Sequence, residues 1–264
     1  RDLQRLFPKT PVSRKLTWAH LGRTTRKNSV LKLEGLNTHY GKSHVLQGVD
    51  LKVGDGESVA LLGRNGVGKT TTLRSIMGLT PPSSGAVTFG DTRTDQIEPH
   101  LIPRLGLGYV PQGRRIFSNL TVFENLCIGL DRPPTEDELD EIYQQFPILK
   151  ERTTQAGGTL SGGEQQMLAI ARCLVMKSKM LLMDEPTEGI MPKLVATLRN
   201  KIRAVNASGI SILLVEQNFV MALAVCTRIY IMEKGVICYE GSSHDLRENP
   251  DIAHRYLGVA IESS

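Results

Sequence analysis

One loop constrains this chain more than any other stretch. Gly63, Arg64, Asn65, Gly66, Val67, Gly68, Lys69 and Thr70 spell GxxxxGK[ST], directly after the apolar run 59–62 and at the head of a helical stretch, Thr70–Met77. Gly78 suits the end of that helix, and Pro81 cannot continue it. In a strand–loop–helix setting the pattern is a phosphate cradle. Its glycines let backbone N–H groups converge on phosphate oxygens, and the helix N-terminus adds favourable dipole charge. Lys69 reaches the β- and γ-phosphates of a nucleoside triphosphate as a point charge, and Thr70 can ligate Mg²⁺.

Two further stretches follow at workable distances. The apolar run 180–183 ends in Asp184 and Glu185 and stops at Pro186. At the C-terminal end of a strand, Asp184 can orient Mg²⁺ while Glu185 polarises an attacking water. Taken alone, the pair also fits a strand followed by an acidic turn; beside the phosphate loop, the site reading is stronger. Residues 160–166 open a helix whose apolar face runs through Met167, Ile170, Ala171 and Leu174. Ser161 and Glu164 have capping-box spacing, and a well-capped helix accounts for them by itself. Gly162 and Gly163 cost up to about 1 kcal/mol each at such a start, which makes sense where a phosphate must approach the backbone. This stretch has no obvious work on the chain's own nucleotide, which hints at a second copy of the domain.

Short apolar runs recur at 59–62, 107–110, 180–183, 210–215 and 228–232. Their lack of alternation suits parallel strands covered on both faces, and helical patterns between several of them point to an α/β sheet with crossover helices. Residues 113–178 lack a clear strand and read as a mostly helical insert. Their acidic run, 135–141, reads as a solvated face. Ordered structure is expected from Val30, as one domain over 30–264 behind a basic leader, 1–29, read as disordered or non-native.

Composition excludes several function classes. With 40% hydrophobic residues the chain can bury a substantial core, yet no apolar run approaches the roughly 20 residues that cross a bilayer. Any membrane role is therefore expected through a partner. The net charge of +5 is misleading, because residues 1–29 hold eight Lys/Arg against Asp2 and the rest holds 24 basic and 26 acidic side chains. A near-neutral domain gives no support for nucleic-acid binding. Cys127, Cys173, Cys226 and Cys238 form no CxxC pair and sit in apolar stretches, as reduced core thiols do. The six histidines lack metal-ligand spacing.

The phosphate loop, Val110-Pro111-Gln112, residues 160–166 and residues 182–186 together resemble the nucleotide-binding domain of ATP-binding cassette (ABC) transporters, over about residues 30–258. The resemblance implies a P-loop NTPase fold: a RecA-like, mainly parallel sheet with a helical subdomain (about 113–178) and a small antiparallel β part. Residues 105–117, 187–190 and 215–218 are further similar to ATP-binding subunits of importers for branched-chain amino acids and for urea. Residues 249–258 lean towards the amino-acid branch, and 187–190 towards urea.

What the resemblance implies is an ATPase that works with ATP and Mg²⁺. Catalysis falls to Glu185, Gln217 and Lys69. Tyr40 stacks on adenine, and the phosphate loop with Thr71 holds the phosphates. Thr70, Gln112 and Asp184 hold the metal. Ser161, Gly162, Gly163 and Glu164 meet the γ-phosphate held by an opposing subunit. The implied partners are a second ABC ATPase subunit, identical or related, and integral permease subunits whose coupling helix docks on the helical insert. A substrate-binding protein acts indirectly, and no nucleic acid is implied. The implied location is peripheral, on the cytoplasmic face of the membrane. Three positions depart from the common pattern: Gln217 replaces a switch histidine, as is usual in this importer branch, and Met191 and Thr227 each replace a frequent Asp. An uncharged Gln217 leaves more of the catalysis to Glu185. Among rivals, Glu216-Gln217-Asn218 tilts away from the lipopolysaccharide-export ATPase. DNA-maintenance cassettes need a long coiled coil for which the stretch between Lys69 and Ser161 has no room.

Overall fold

The computed structural model describes residues 29–257. The leader expected over 1–29 lies, apart from Ser29, outside the described residues. Strands β1 (Ser29–Tyr40) and β2 (Ser43–Gly54) form a hairpin, and β3 (Ser58–Leu62) then enters a second sheet. Helix α1 (Lys69–Ile76) leads back to β4 (Ser84–Phe89) and β5 (Thr92–Arg93), which complete an antiparallel sheet in the order β2-β1-β4-β5. Strand β6 (Leu107–Val110) precedes the insert, where residues 113–178 carry α2 (Val122–Cys127), α3 (Glu136–Gln145), α4 (Pro147–Glu151) and α5 (Gly162–Val175) and no strand. The acidic residues on either side of Glu138 are exposed, and Glu138 pairs with Arg132 at 2.6 Å and Lys177 at 2.8 Å.

The remaining elements alternate. They are β7 (Met180–Asp184), α6 (Pro192–Ala207), β8 (Ser211–Glu216), α7 (Phe219–Val225), β9 (Arg228–Glu233), β10 (Val236–Ser242), α8 (Ser243–Glu248) and α9 (Pro250–Leu257). The second sheet has the order β10-β9-β3-β8-β7-β6. Its strands β9 to β6 are parallel, with β10 antiparallel at one edge. Strands β3, β7 and β8 are buried at every residue, and the reason lies in their two faces. Val59, Leu61, Met180, Leu182, Leu213 and Val215 pack with the antiparallel sheet and α1. Ala60, Leu62, Leu181, Met183, Ile212 and Leu214 pack with the helices on the other side. A strand with apolar neighbours on both faces needs no polar alternation.

Register then positions the site. Leu62 is level with Glu216, Asp184 with Val215, and Val110 with Met183. Gly63, Gln217 and Glu185, which follow these strand ends directly, and Gln112, which follows Pro111, therefore leave the sheet at the carboxyl ends of its strands, where α/β sheets place their ligands. Cys127, Cys173 and Cys226 are buried free thiols, and Cys238 is half-buried and free. Among the described residues no helix is long and apolar enough to cross a membrane.

Candidate functional site

The cradle is built where β3 hands over to α1. Gly68 holds φ at 117° and caps α1 without a side-chain hydrogen bond. A Cβ there would lie 2.8 Å from Leu46 Cδ2, so neither the conformation nor the space admits a side chain. The uncapped start of α1 leaves N–H groups for an anion. Lys69 is 4% exposed, and its Nζ donates to Gly63 O at 2.9 Å and Arg64 O at 3.1 Å. Its third partner is Glu185 Oε1 at 3.0 Å. An ammonium has three N–H donors, so an arriving phosphate must replace one of these partners.

Asp184 accepts from Thr70 Oγ1 at 3.1 Å and from Tyr109 OH at 3.3 Å, and burial pushes its carboxyl above the usual range. A carboxylate beside a hydroxyl is an oxygen-only donor set, which is the chemistry Mg²⁺ takes. Glu185 follows with φ at 44° and its N–H bonded to Val215 O at 2.9 Å. A left-handed non-glycine residue costs about 1–2 kcal/mol, and here it aims the carboxylate back at the loop. Gln112 Nε2 approaches Glu185 Oε2 at 3.4 Å and donates to Glu188 Oε2 at 2.9 Å. The structure thus brings Lys69, Thr70, Gln112, Asp184 and Glu185 into one polar cluster, with Gln112 turned to the two glutamates rather than to Asp184.

Ser161 caps α5 as its spacing predicts. Its N–H donates to Glu164 Oε2 at 2.7 Å, Glu164 N–H returns to Ser161 Oγ at 3.4 Å, and Arg152 Nε holds Glu164 Oε1 at 3.0 Å. The two glycines have an intramolecular reason of their own. A Cβ on Gly162 would lie 2.9 Å from Arg114 Nη2, and one on Gly163 2.9 Å from Leu194 Cδ1. Ser161 itself is exposed.

Tyr40 ends β1 with its ring 47% exposed and its hydroxyl 3.1 Å from Thr80 Oγ1, a bond that lowers its phenol pKa. Thr71 is buried on α1. Gln217 is exposed beyond the end of β8 and takes no part in the hydrogen bonds of the cluster. Met191 precedes α6 and is 65% exposed. The Thr227 hydroxyl donates to Ser58 O at 3.1 Å, tying the start of β9 to β3.

Four residues join the site to which the sequence alone assigned no site role. Tyr109 reaches Asp184 from β6. Glu188 receives Gln112. Glu216, 2% exposed, accepts from Thr187 N at 3.1 Å, Thr187 Oγ1 at 2.8 Å and Asn218 N at 3.2 Å, so it fastens the loop after Glu185 to β8. In the strand itself its sign is a carboxylate closing the apolar run 212–215. Arg114, with φ at 66°, sends Nη2 to Gly189 O at 2.9 Å.

A family model for ABC transporters matches residues 46–188. The chain is 39% identical over 232 residues to the high-affinity branched-chain amino acid transport ATP-binding protein BraG of Pseudomonas aeruginosa, across 87% of this chain and 100% of that one. It is 34% identical over 236 residues to the lipopolysaccharide export system ATP-binding protein LptB of Escherichia coli K12, across 87% and 98%. The solved ADP conformation of MJ1267, an ATP-binding cassette of an ABC transporter, superposes with a TM-score of 0.77 at 26% identity, across 88% of this chain and 100% of that one. The phosphate loop, the strand-end carboxylates and the capped glycine turn thus stand in a known framework, and the chain belongs to the ABC transporter family as an ATP-binding, ATP-hydrolysing subunit.

Proposed function

We propose that the chain is the ATPase subunit of an importer for branched-chain amino acids, acting at the cytoplasmic face of the membrane. One observation carries the catalytic part: Lys69, Thr70, Gln112, Asp184 and Glu185 meet at the carboxyl ends of the parallel strands, with Lys69 and Glu185 in direct contact. The phosphates of ATP enter over the start of α1, and Lys69 exchanges the Glu185 carboxylate for γ-phosphate oxygens. The freed Glu185 then polarises a water in line with the bond between the γ-phosphorus and the bridging oxygen. The water oxygen bonds to phosphorus as its proton passes to the Glu185 carboxylate, the bridging oxygen leaves with ADP, and inorganic phosphate is released. Thr70, Asp184 and Gln112 would hold Mg²⁺, which neutralises phosphate charge when bound. Gln217 donates a hydrogen bond to the γ-phosphate without adding charge.

The γ-phosphate contacts are completed by a second ATPase subunit placed head to tail, whose Ser161–Gly163 turn approaches from the other side. Closing and reopening of this pair moves the permease subunits between inward and outward access, and a substrate-binding protein supplies the amino acid. Support for the substrate comes from the likeness to BraG; the lower identity to LptB carries a second reading, lipopolysaccharide export.

The test is Glu185→Gln. It should bind ATP and form an ATP-dependent pair, yet turn over at least about a hundredfold more slowly. Near-normal hydrolysis would remove Glu185 from its role. Identification of the membrane subunits that co-purify decides between amino-acid uptake, urea uptake and lipopolysaccharide export.

A further inference from the structure

Gly113, Arg114 and Arg115 have φ of 75°, 66° and 48°, three consecutive residues in the left-handed region directly after Gln112. L-residues adopt that conformation only where the surroundings enforce it. Here the enforcing contacts are specific. Arg114 Nη2 donates to Gly189 O at 2.9 Å and approaches Glu188 O at 3.4 Å, while Nη1 approaches Gln165 Oε1 at 3.5 Å. Arg172 Nη1 on α5 donates to Arg115 O at 2.9 Å. The guanidinium also fills the space beside Gly162 and lies 3.3 Å from where a Cβ on Gly189 would stand. One planar fork therefore touches three segments: the turn after Gln112, the glycine turn that opens α5, and the loop between Glu185 and Met191.

We propose that Arg114 is a positioning residue that couples the two nucleotides of the paired ATPase. It rests on the head-to-tail reading above. In that reading Gln112 answers to the nucleotide held by its own chain, and Ser161–Gly163 is offered to the nucleotide held by the other. Gln112 and Arg114 both end on the loop 188–189, so a movement of Gln112 towards a γ-phosphate pulls on the same loop that the guanidinium grips. The guanidinium transmits it to Gly162. Arg114 Nε is buried without a hydrogen-bond partner, which leaves the present arrangement incompletely satisfied, as suits a linkage that resets when the pair closes. Lysine would keep the charge and lose the fork.

The experiment uses the full chain carrying Glu185→Gln and follows pair formation against Mg·ATP concentration, with ATP affinity measured separately at dilutions where the protein is monomeric. Adding Arg114→Ala should raise the ATP needed for half-maximal pairing at least about fivefold and leave monomer affinity within twofold. Arg114→Lys should show most of the same shift. Unshifted pairing with Arg114→Ala or full rescue by lysine would each overturn the coupling role. Parallel loss of monomer affinity would reduce Arg114 to a structural pin. If Glu185→Gln alone never pairs, it is the head-to-tail reading that fails.

Discussion

Lys69 and Glu185 are ion-paired at 3.0 Å with side chains 4% and 12% exposed, so the two charges proposed to act in ATP turnover satisfy one another. On the proposed mechanism, phosphate binding and release of the carboxylate become one event. The pairing also ties the stability of the site to its function.

Lys69→Ala should therefore fail at nucleotide binding and destabilise the protein as well. Breaking a fully buried pair from one side costs about 3–5 kcal/mol; with Glu185 partly exposed, about 2 kcal/mol is expected. Lys69→Ala with Glu185→Ala should recover part of that loss in urea denaturation, because no lone charge remains. Additive single effects, or unchanged ATP affinity in Lys69→Ala, would contradict the pairing and the loop assignment respectively.

Ser161→Ala separates capping from catalysis. Loss of the cap costs about 1 kcal/mol, roughly 2–4 °C in Tm for a domain of this size. If Ser161 also meets the γ-phosphate of a second subunit, hydrolysis should fall at least about tenfold, far beyond the change in folded fraction. A decline no larger than the loss of folded protein would leave Ser161 as a cap alone.

Tyr40 offers a comparison of ring and hydroxyl. Tyr40→Phe removes the bond to Thr80 and should change ATP affinity by less than about twofold, whereas Tyr40→Ala should weaken it about tenfold, as expected for base–aromatic stacking worth about 1–3 kcal/mol. Equal effects of the two variants would assign the contribution to the Thr80 bond instead.

Glu216 should leave a signature in the pH dependence of stability. Burial raises its carboxyl above the ordinary 4.5, against the hydrogen bonds from Thr187 and Asn218. Between the ordinary and the raised value the folded protein binds more protons than the unfolded chain, so this group's contribution to stability falls as pH rises through that window. Thermal melts of wild type and Glu216→Gln across pH 4–8 should show the wild type losing stability relative to the variant as pH increases (a window set by ordinary carboxylates at about 4). Parallel curves would mean that the carboxyl is not perturbed.

Much of the fold was legible before any coordinates. The apolar runs at 59–62, 107–110 and 180–183 recur as β3, β6 and β7 to within a residue, because burial on both faces imprints an unbroken apolar stretch. The capping box at Ser161 and Glu164 was equally visible, since a cap needs only partners three residues apart. The antiparallel sheet carried no comparable sign and entered only through the family resemblance; its alternation is interrupted by register shifts between β1 and β2.

What the chain by itself determined is local: a glycine spacing that opens backbone N–H groups, strands that must be covered on both sides, and a serine that ends a loop and starts a helix. Only the tertiary structure decided which polar and charged groups meet. Lys69 and Glu185, Tyr109 and Asp184, and Arg114 with Gly189 O, 75 positions away, come together through the strand order β3-β8-β7-β6. Hydrophobic periodicity records which face of a strand is buried and is indifferent to which strand lies beside it, so the partners of these groups had to be read from the fold.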